Sequence, residues 1–301
     1  MKDSTPSATA IIVARNIALI AATPKLSFLV SPEAASLTGW LIRAYARGGE
    51  AFLRRAHYRW FQLLFHCYER CTIPGLALHQ VLRKRHIEQA VRTSLDEGFE
   101  QVVVLGGGLD TLALRLHGQF PGVNFLELDH PATQRLKREM VESRRLAGPN
   151  LKLSPVDFGQ QTLQDFLGAS PDYLPRRRTV FLSEGVLMYL APEEIESLFD
   201  VIRQQESPGV RFIFTFMELD LRGRPAFRNS TWLVRLWLRL KKEPFQWGVP
   251  RSEIKDFVAA RGFSLREVAT EETFRHGQLH GDCLRREALA EGEILCVVDR
   301  N

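Results

Sequence analysis

The chain has 301 residues, of which 45% are hydrophobic and 25% charged, a composition that suits a folded core and excludes an extended disordered chain. A net charge of +5 and a pI near 9.2 raise the question of a nucleic-acid partner, but the cations lie in helical stretches such as Arg43–Arg59 and Arg222–Lys242, with no long uninterrupted run. No RNA-recognition or zinc-finger signature accompanies them, so no nucleic acid is expected, and the charge is read as a basic surface suited to an anionic small molecule.

From the N-terminus, Ala10–Ala22 is apolar but interrupted by Arg15 and Asn16, and is too short to span a bilayer. No stable membrane insertion is expected, and a cytoplasmic location follows by default. Apolar residues recur at three- and four-residue spacing through Ile11–Ile20, Leu37–Tyr45, Ala51–Tyr68 and Val81–Leu95. This predicts a helical N-terminal cap over residues 1–100, punctuated at Ser31-Pro32-Glu33 and at Thr72-Ile73-Pro74-Gly75. Cys67 and Cys71 lie one helical turn apart beside His66, and Cys283 follows His276 and His280. No compact pair-plus-pair zinc spacing appears, so these are read as buried thiols and surface histidines, with no metal site.

The pattern changes at Gln101, where Val102–Leu105 is a short apolar run of the kind buried on both faces of a parallel sheet. Further strands are predicted at Val123–Leu128, Leu151–Val156, Thr179–Leu182 and Val210–Phe216, alternating with helices at Leu112–His117, Ala132–Arg145, Leu163–Leu167 and Glu193–Gln205. Ser252–Ala260 reads as a helix, and Leu265–Ala269 and Ile294–Val298 as a closing strand pair. Residues 101–301 thus read as an α/β core, with a lid-like insertion at 221–250.

Leu105-Gly106-Gly107-Gly108-Leu109-Asp110-Thr111 follows the first strand and opens a helix, where glycines let the backbone approach a ligand. A dinucleotide turn would place a third glycine where Thr111 stands. Asp129 ends the second strand, 21 residues past Gly108, where a carboxylate can accept ribose hydroxyls. Asp157 and Phe158 follow the third strand and Glu184 the fourth. A helix N-cap competes for each acid singly, but together they converge on the crevice at the strand ends and favour an adenosyl-cofactor site.

Four blocks carry a resemblance: Arg83-Lys84-Arg85-His86-Ile87-Glu88, the glycine turn, Phe125–Pro131 and Ser183-Glu184-Gly185-Val186-Leu187-Met188-Tyr189-Leu190. In these the chain resembles the leucine carboxyl methyltransferase family, including its bacterial members. The resemblance implies a Rossmann-like class I methyltransferase sheet with a C-terminal antiparallel strand pair, and S-adenosyl-L-methionine as cofactor. By the family pattern Arg83 holds the methionine carboxylate, with Arg85 as the alternative in register. The backbone at Gly106 contacts the methionine part, Gly108 belongs to the same cofactor turn, Asp129 meets the ribose, Asp157 and Phe158 the adenine, and Glu184 lies near the methionine amino group. Gly107 stands where the family usually has alanine or cysteine, and residues 1–50 match poorly, with Arg15 a loose candidate for a cap contact.

The expected reaction is O-methylation of a carboxylate or hydroxyl on a small, anionic or amphipathic metabolite. A protein C-terminal carboxylate and a non-catalytic cofactor-binding role are the alternatives. No catalytic residue is assigned; His57, His86 and Tyr189 are the polar groups to examine for a hydroxyl acceptor. Trp232–Lys242 reads as a cap helix or a lid, with Trp232, Trp237 and Trp247 suited to an apolar acceptor pocket. Oligomeric state is not legible.

Overall fold

The computed structural model describes residues 7–158, 160–220, 222–232, 234 and 244–301. The first two helices start on serine caps. Ser7 accepts a hydrogen bond from the Ala10 N–H (3.3 Å) ahead of α1 (Ala8–Ala22). Ser31 accepts from Ala34 (3.1 Å), with Pro32 as the first residue of α2 (Pro32–Tyr45). The segment expected as one helix over Ala51–Tyr68 is two, α3 (Gly49–Ala56) and α4 (Arg59–Cys71). His57 closes the first, and Tyr58 in extended backbone opens the second. Apolar spacing runs straight through this break, so periodicity could not mark it. The long helix α5 (Leu76–Asp96) starts from Gly75, whose φ of 73° and contact with the Ala288 carbonyl leave no room for a side chain.

The strands are β1 (Gln101–Leu105), β2 (Asn124–Asp129), β3 (Leu151–Pro155), β4 (Thr179–Ser183), β5 (Val210–Met217), β6 (Phe263–Ala269) and β7 (Glu293–Arg300). They form one sheet in the order β3-β2-β1-β4-β5-β7-β6. The first five are parallel, and β7 runs antiparallel between β5 and β6. The parallel α/β part is what the alternation predicts, and the Rossmann-like sheet with its closing antiparallel pair is what the resemblance implies. Strand order reverses between β1 and β4, so the crevice at their carboxyl ends is the topological switch point where such sheets bind ligands.

Because strand side chains alternate, Val102 and Val104 pack on one face with Leu41, Leu82, Ile87 and Val91 of the N-terminal helices. Val103 and Leu105 pack on the other face with Phe181, Phe212 and Phe214. The second layer centres on Phe199 of α9 (Pro192–Arg203), whose ring lies 5.4–5.6 Å from those of Phe212, Phe214, Phe257 and Phe263. Between strands lie α6 (Leu112–Leu116), α7 (Pro131–Ser143) and α8 (Leu163–Ala169). A further helix at Glu271–Gln278 was not predicted; it is mostly polar and is set by its Thr270 cap. Among the described residues no helix is long and apolar enough to cross a membrane.

Candidate functional site

At the switch point β1 runs into Gly106-Gly107-Gly108. Gly106 (φ 71°) and Gly108 (φ 53°) are left-handed, and a Cβ on Gly106 would lie 2.5 Å from Val186 Cγ2. Gly107 is constrained differently: a Cβ there would lie 2.5–2.7 Å from the carboxyl group of Glu127. Glu127 is buried on β2 and pairs with the equally buried Lys137 of α7 (2.6 Å), which also donates to the Asp110 carbonyl (2.5 Å). This ion pair takes the space an alanine would need, which explains the departure at position 107. Burial pushes the Glu127 carboxyl up, against the pull of Lys137.

Asp129 ends β2 with its carboxylate across the turn. One oxygen accepts from the Gly108 N–H and the other from the His130 N–H (2.5 Å). It therefore braces the glycine turn, while His130 caps α7 by accepting from Ala132 (3.3 Å). Burial raises its pKa against these two amides. Asp157 accepts from Gln160 Nε2 (3.0 Å) beyond β3, and its neighbour Phe158 is 48% exposed, an aromatic ring left open at the crevice.

Arg83, on α5, is only 4% exposed. Its Nε and Nη2 donate to Glu184 Oε1 (2.9 and 2.6 Å), and its Nη1 donates to Glu293 at the start of β7. Lys84 donates to Glu184 Oε2 (2.9 Å) and lies 3.2 Å from Asp110 Oδ2. His79 Nε2 is 3.6 Å from Glu293. Burial works against the charges here, yet Arg83 and His79 hold the Glu293 carboxyl down at about 2. Against the same burial, Lys84, Lys137 and Arg115 hold Asp110 at about 2. The competing cap role does not apply to Glu184, whose carboxylate is taken up by Arg83 and Lys84. Arg85 turns away, donating to the Leu29 carbonyl (3.0 Å) and to Gln278 (3.1 Å). Glu293 and His79 went unsuspected in the sequence, and Lys84 and Asp110 had no role beyond their place in the quoted blocks, because nothing in spacing signals that Arg83 and Glu293 meet across 210 residues.

All seven expected residues, Arg83, Gly106, Gly108, Asp129, Asp157, Phe158 and Glu184, border one cavity of about 1560 Å³. Its other wall is apolar and aromatic, built from Phe52, Phe61 and Phe65 of α3 and α4 with Met188, Tyr189, Phe227 and Phe245. Of the tryptophans expected there, Trp247 is buried against Phe257 (5.4 Å) and Trp232 is 64% exposed, and neither lines the cavity; Trp237 lies outside the described residues, as does most of Trp232–Lys242. Tyr189 lines the cavity, whereas His57 does not, and His86 pairs with Glu267 (2.6 Å) outside it. Arg15 lines the wall with its guanidinium over Phe52 (5.3 Å). Glu69 is a residue the sequence did not single out. One oxygen accepts from the Ala77 N–H (2.7 Å), and burial, partly offset by that amide, raises its pKa to about 7. Cys67 and Cys71 are exposed rather than buried, because α4 buries none of its residues. Among the described residues no group of three or more His, Cys, Asp or Glu could hold a metal.

Residues 42–203 match the family model described as leucine carboxyl methyltransferase. A protein of Mycolicibacterium vanbaalenii named "Putative S-adenosyl-L-methionine-dependent methyltransferase" is 30% identical over 68% of this chain and 67% of its own length. A Mycobacteroides abscessus protein of the same name is 28% identical over 72% of each chain. In fold, the chain is similar to the crystal structure of a "putative methyltransferase" from Thermobifida fusca, with a TM-score of 0.58, 17% identity, and coverage of 92% of this chain and 98% of that one.

Proposed function

From the premise that this chain belongs to the leucine carboxyl methyltransferase family and is an S-adenosylmethionine-dependent methyltransferase, we propose that it methylates an oxygen of a small amphipathic metabolite. The observation that carries this reading is the cavity itself. At about 1560 Å³ it exceeds the roughly 300–1,000 Å³ of a site for one small ligand. One wall carries charged groups and glycine backbone, and the other is aromatic. In this reading the first wall takes the methyl donor and the second takes the acceptor. Helices α1–α5 form the cap over both, and residues 101–301 form the donor-binding core.

The residues on the first wall suit the donor's chemistry. The donor's carboxylate would share the planar cationic fork of Arg83 with Glu184 and Glu293, and its ammonium group would share the Glu184 carboxylate with Arg83 and Lys84. Gly106 and Gly108 keep the wall free of side chains, Asp129 presents carboxylate oxygens for hydroxyls, and Asp157 with the open ring of Phe158 suits a purine. When bound, the cofactor supplies a methyl group already activated on a sulfonium, so the chain's own part is alignment and exclusion of water. A carboxylate acceptor needs no base. For a hydroxyl acceptor Glu69 is the group at hand, since a carboxyl titrating at about 7 on an apolar wall can take a proton near neutral pH.

The test is transfer of labelled methyl from S-adenosylmethionine to a panel of amphipathic carboxylic acids, phenols and a peptide ending in leucine. Label on an acid or phenol is expected. Label on the peptide alone would overturn the small-molecule reading. So would no transfer by protein that binds S-adenosylhomocysteine, which would favour a non-catalytic binding role.

A further inference from the structure

Helix α4 (Arg59–Cys71) buries none of its residues. One side, carrying Phe61, Phe65 and Glu69, lines the cavity. The opposite side presents Trp60, Leu63 and Leu64 at 54–64% exposure, flanked by Tyr58 and Tyr68 at 50% and 61%. Thr231 donates to the Cys71 carbonyl (2.8 Å) and so sets the exposed Trp232 beside the end of the same helix. A helix that leaves this much apolar surface uncovered is built to meet something.

The charges around it say what. Arg54, Arg55, Arg59 and Arg70 are exposed, and none is ion-paired among the described residues. The acids of α3 and α4 are spent elsewhere: Glu50 pairs with Arg43, and Glu69 accepts from Ala77. A second copy docked here would set these unpaired arginines against their own kind. We propose instead that α4 and the end of α3 dock this protein on an anionic lipid surface, with Trp60, Leu63, Leu64 and the neighbouring Trp232 in the interface and Arg54, Arg55, Arg59 and Arg70 on the headgroups. The contact is peripheral. Tyr68 both lines the cavity and is exposed at the patch, so the docked face borders the aromatic wall of the cavity. The docking itself holds whatever the acceptor is.

The experiment is co-sedimentation of the full chain with vesicles of phosphatidylcholine alone or mixed with phosphatidylglycerol. Calorimetry with S-adenosylhomocysteine runs in parallel as a check on folding and on the methyltransferase reading. Binding to the anionic vesicles only, weakened by salt, is expected. The variant Leu63→Glu/Leu64→Glu should remain in the supernatant while still binding S-adenosylhomocysteine. Arg54→Gln/Arg55→Gln/Arg59→Gln should lose about fivefold in partitioning per arginine, on the order of a hundredfold together. A wild-type chain that binds S-adenosylhomocysteine but neither vesicle overturns the proposal, as does undiminished vesicle binding by the leucine variant. A wild-type dimer in sedimentation velocity that Leu63→Glu/Leu64→Glu dissolves would assign the face to a second copy instead.

Discussion

Replacing Arg83 by methionine keeps the length of the side chain and removes its charge from between two buried carboxylates. Glu184 retains Lys84 at 2.9 Å, but Glu293, with a side chain only 2% exposed, is left with His79 at 3.6 Å. With Arg83 present the Glu293 carboxyl sits at about 2, below its ordinary 4.5, so its contribution to stability is complete above about 4.5 and is lost as pH falls toward 2. Without Arg83 burial dominates and the folded carboxyl lies above its unfolded value, so the variant suffers most at high pH and recovers as pH falls. Breaking a buried pair costs about 3–5 kcal/mol. Urea denaturation should therefore show a deficit of about that size near pH 8, narrowing by roughly 1 kcal/mol or more near pH 5. Adding Glu293→Gln removes the orphaned charge and should restore at least half of the lost stability. It should not restore affinity for S-adenosylhomocysteine, which falls by about 1.5–3 kcal/mol if Arg83 holds the amino-acid carboxylate. A deficit below about 1 kcal/mol at every pH would refute the network's role in stability. Full recovery of affinity in the double variant would remove Arg83 from the cofactor site.

Phe158→Ala should leave stability within about 0.5 kcal/mol, because the ring is 48% exposed, yet weaken S-adenosylhomocysteine binding by roughly 0.5–1.5 kcal/mol in calorimetry. Gly107→Ala should destabilise the fold by about 1–3 kcal/mol by pressing on the Glu127 carboxyl, and thermal melts should show the same substitution costing little in a Glu127→Ala/Lys137→Met background, where the side chain it meets is gone. For Glu69 the sign is reversed relative to Glu293. Its folded pKa of about 7 lies above the ordinary 4.5, so ionisation destabilises the fold as pH rises through that range. Glu69→Gln, which can still accept from Ala77, should be more stable than wild type by about 2–3 kcal/mol near pH 8 and no more stable near pH 4. A pH-independent difference would show that Glu69 is not held in an apolar setting.

The parallel strands were legible because a strand buried on both faces is written mostly in apolar residues, unbroken in Val102–Leu105 and interrupted only by Arg211 and Thr215 in Val210–Phe216. The glycine turn and the acids at the strand ends were legible because their place in the chain fixes their place in the crevice. Breaks that do not disturb periodicity were invisible: Ala51–Tyr68 reads as one helix although it turns at Tyr58. The polar helix Glu271–Gln278 was missed for the opposite reason, since it buries little besides Phe274. Least legible were buried charges whose partners come from distant segments, Glu293 with Arg83 above all. Pairing of that kind is decided by packing, and local sequence carries no trace of it. The aromatic wall of the cavity shows the same limit, since the sequence pointed to Trp232, Trp237 and Trp247 while the cavity is lined by phenylalanines from α3 and α4.

The most direct measurement is a crystal structure of the chain with S-adenosylhomocysteine. The amino-acid carboxylate is expected within hydrogen-bond distance of Arg83, the ribose hydroxyls at Asp129, and the adenine beside Asp157 and Phe158, with the aromatic wall left for the acceptor. Arg83 still fully engaged by Glu184 and Glu293, with the nucleoside bound away from the glycine turn, would contradict the assignment of this cavity as the methyl-donor site.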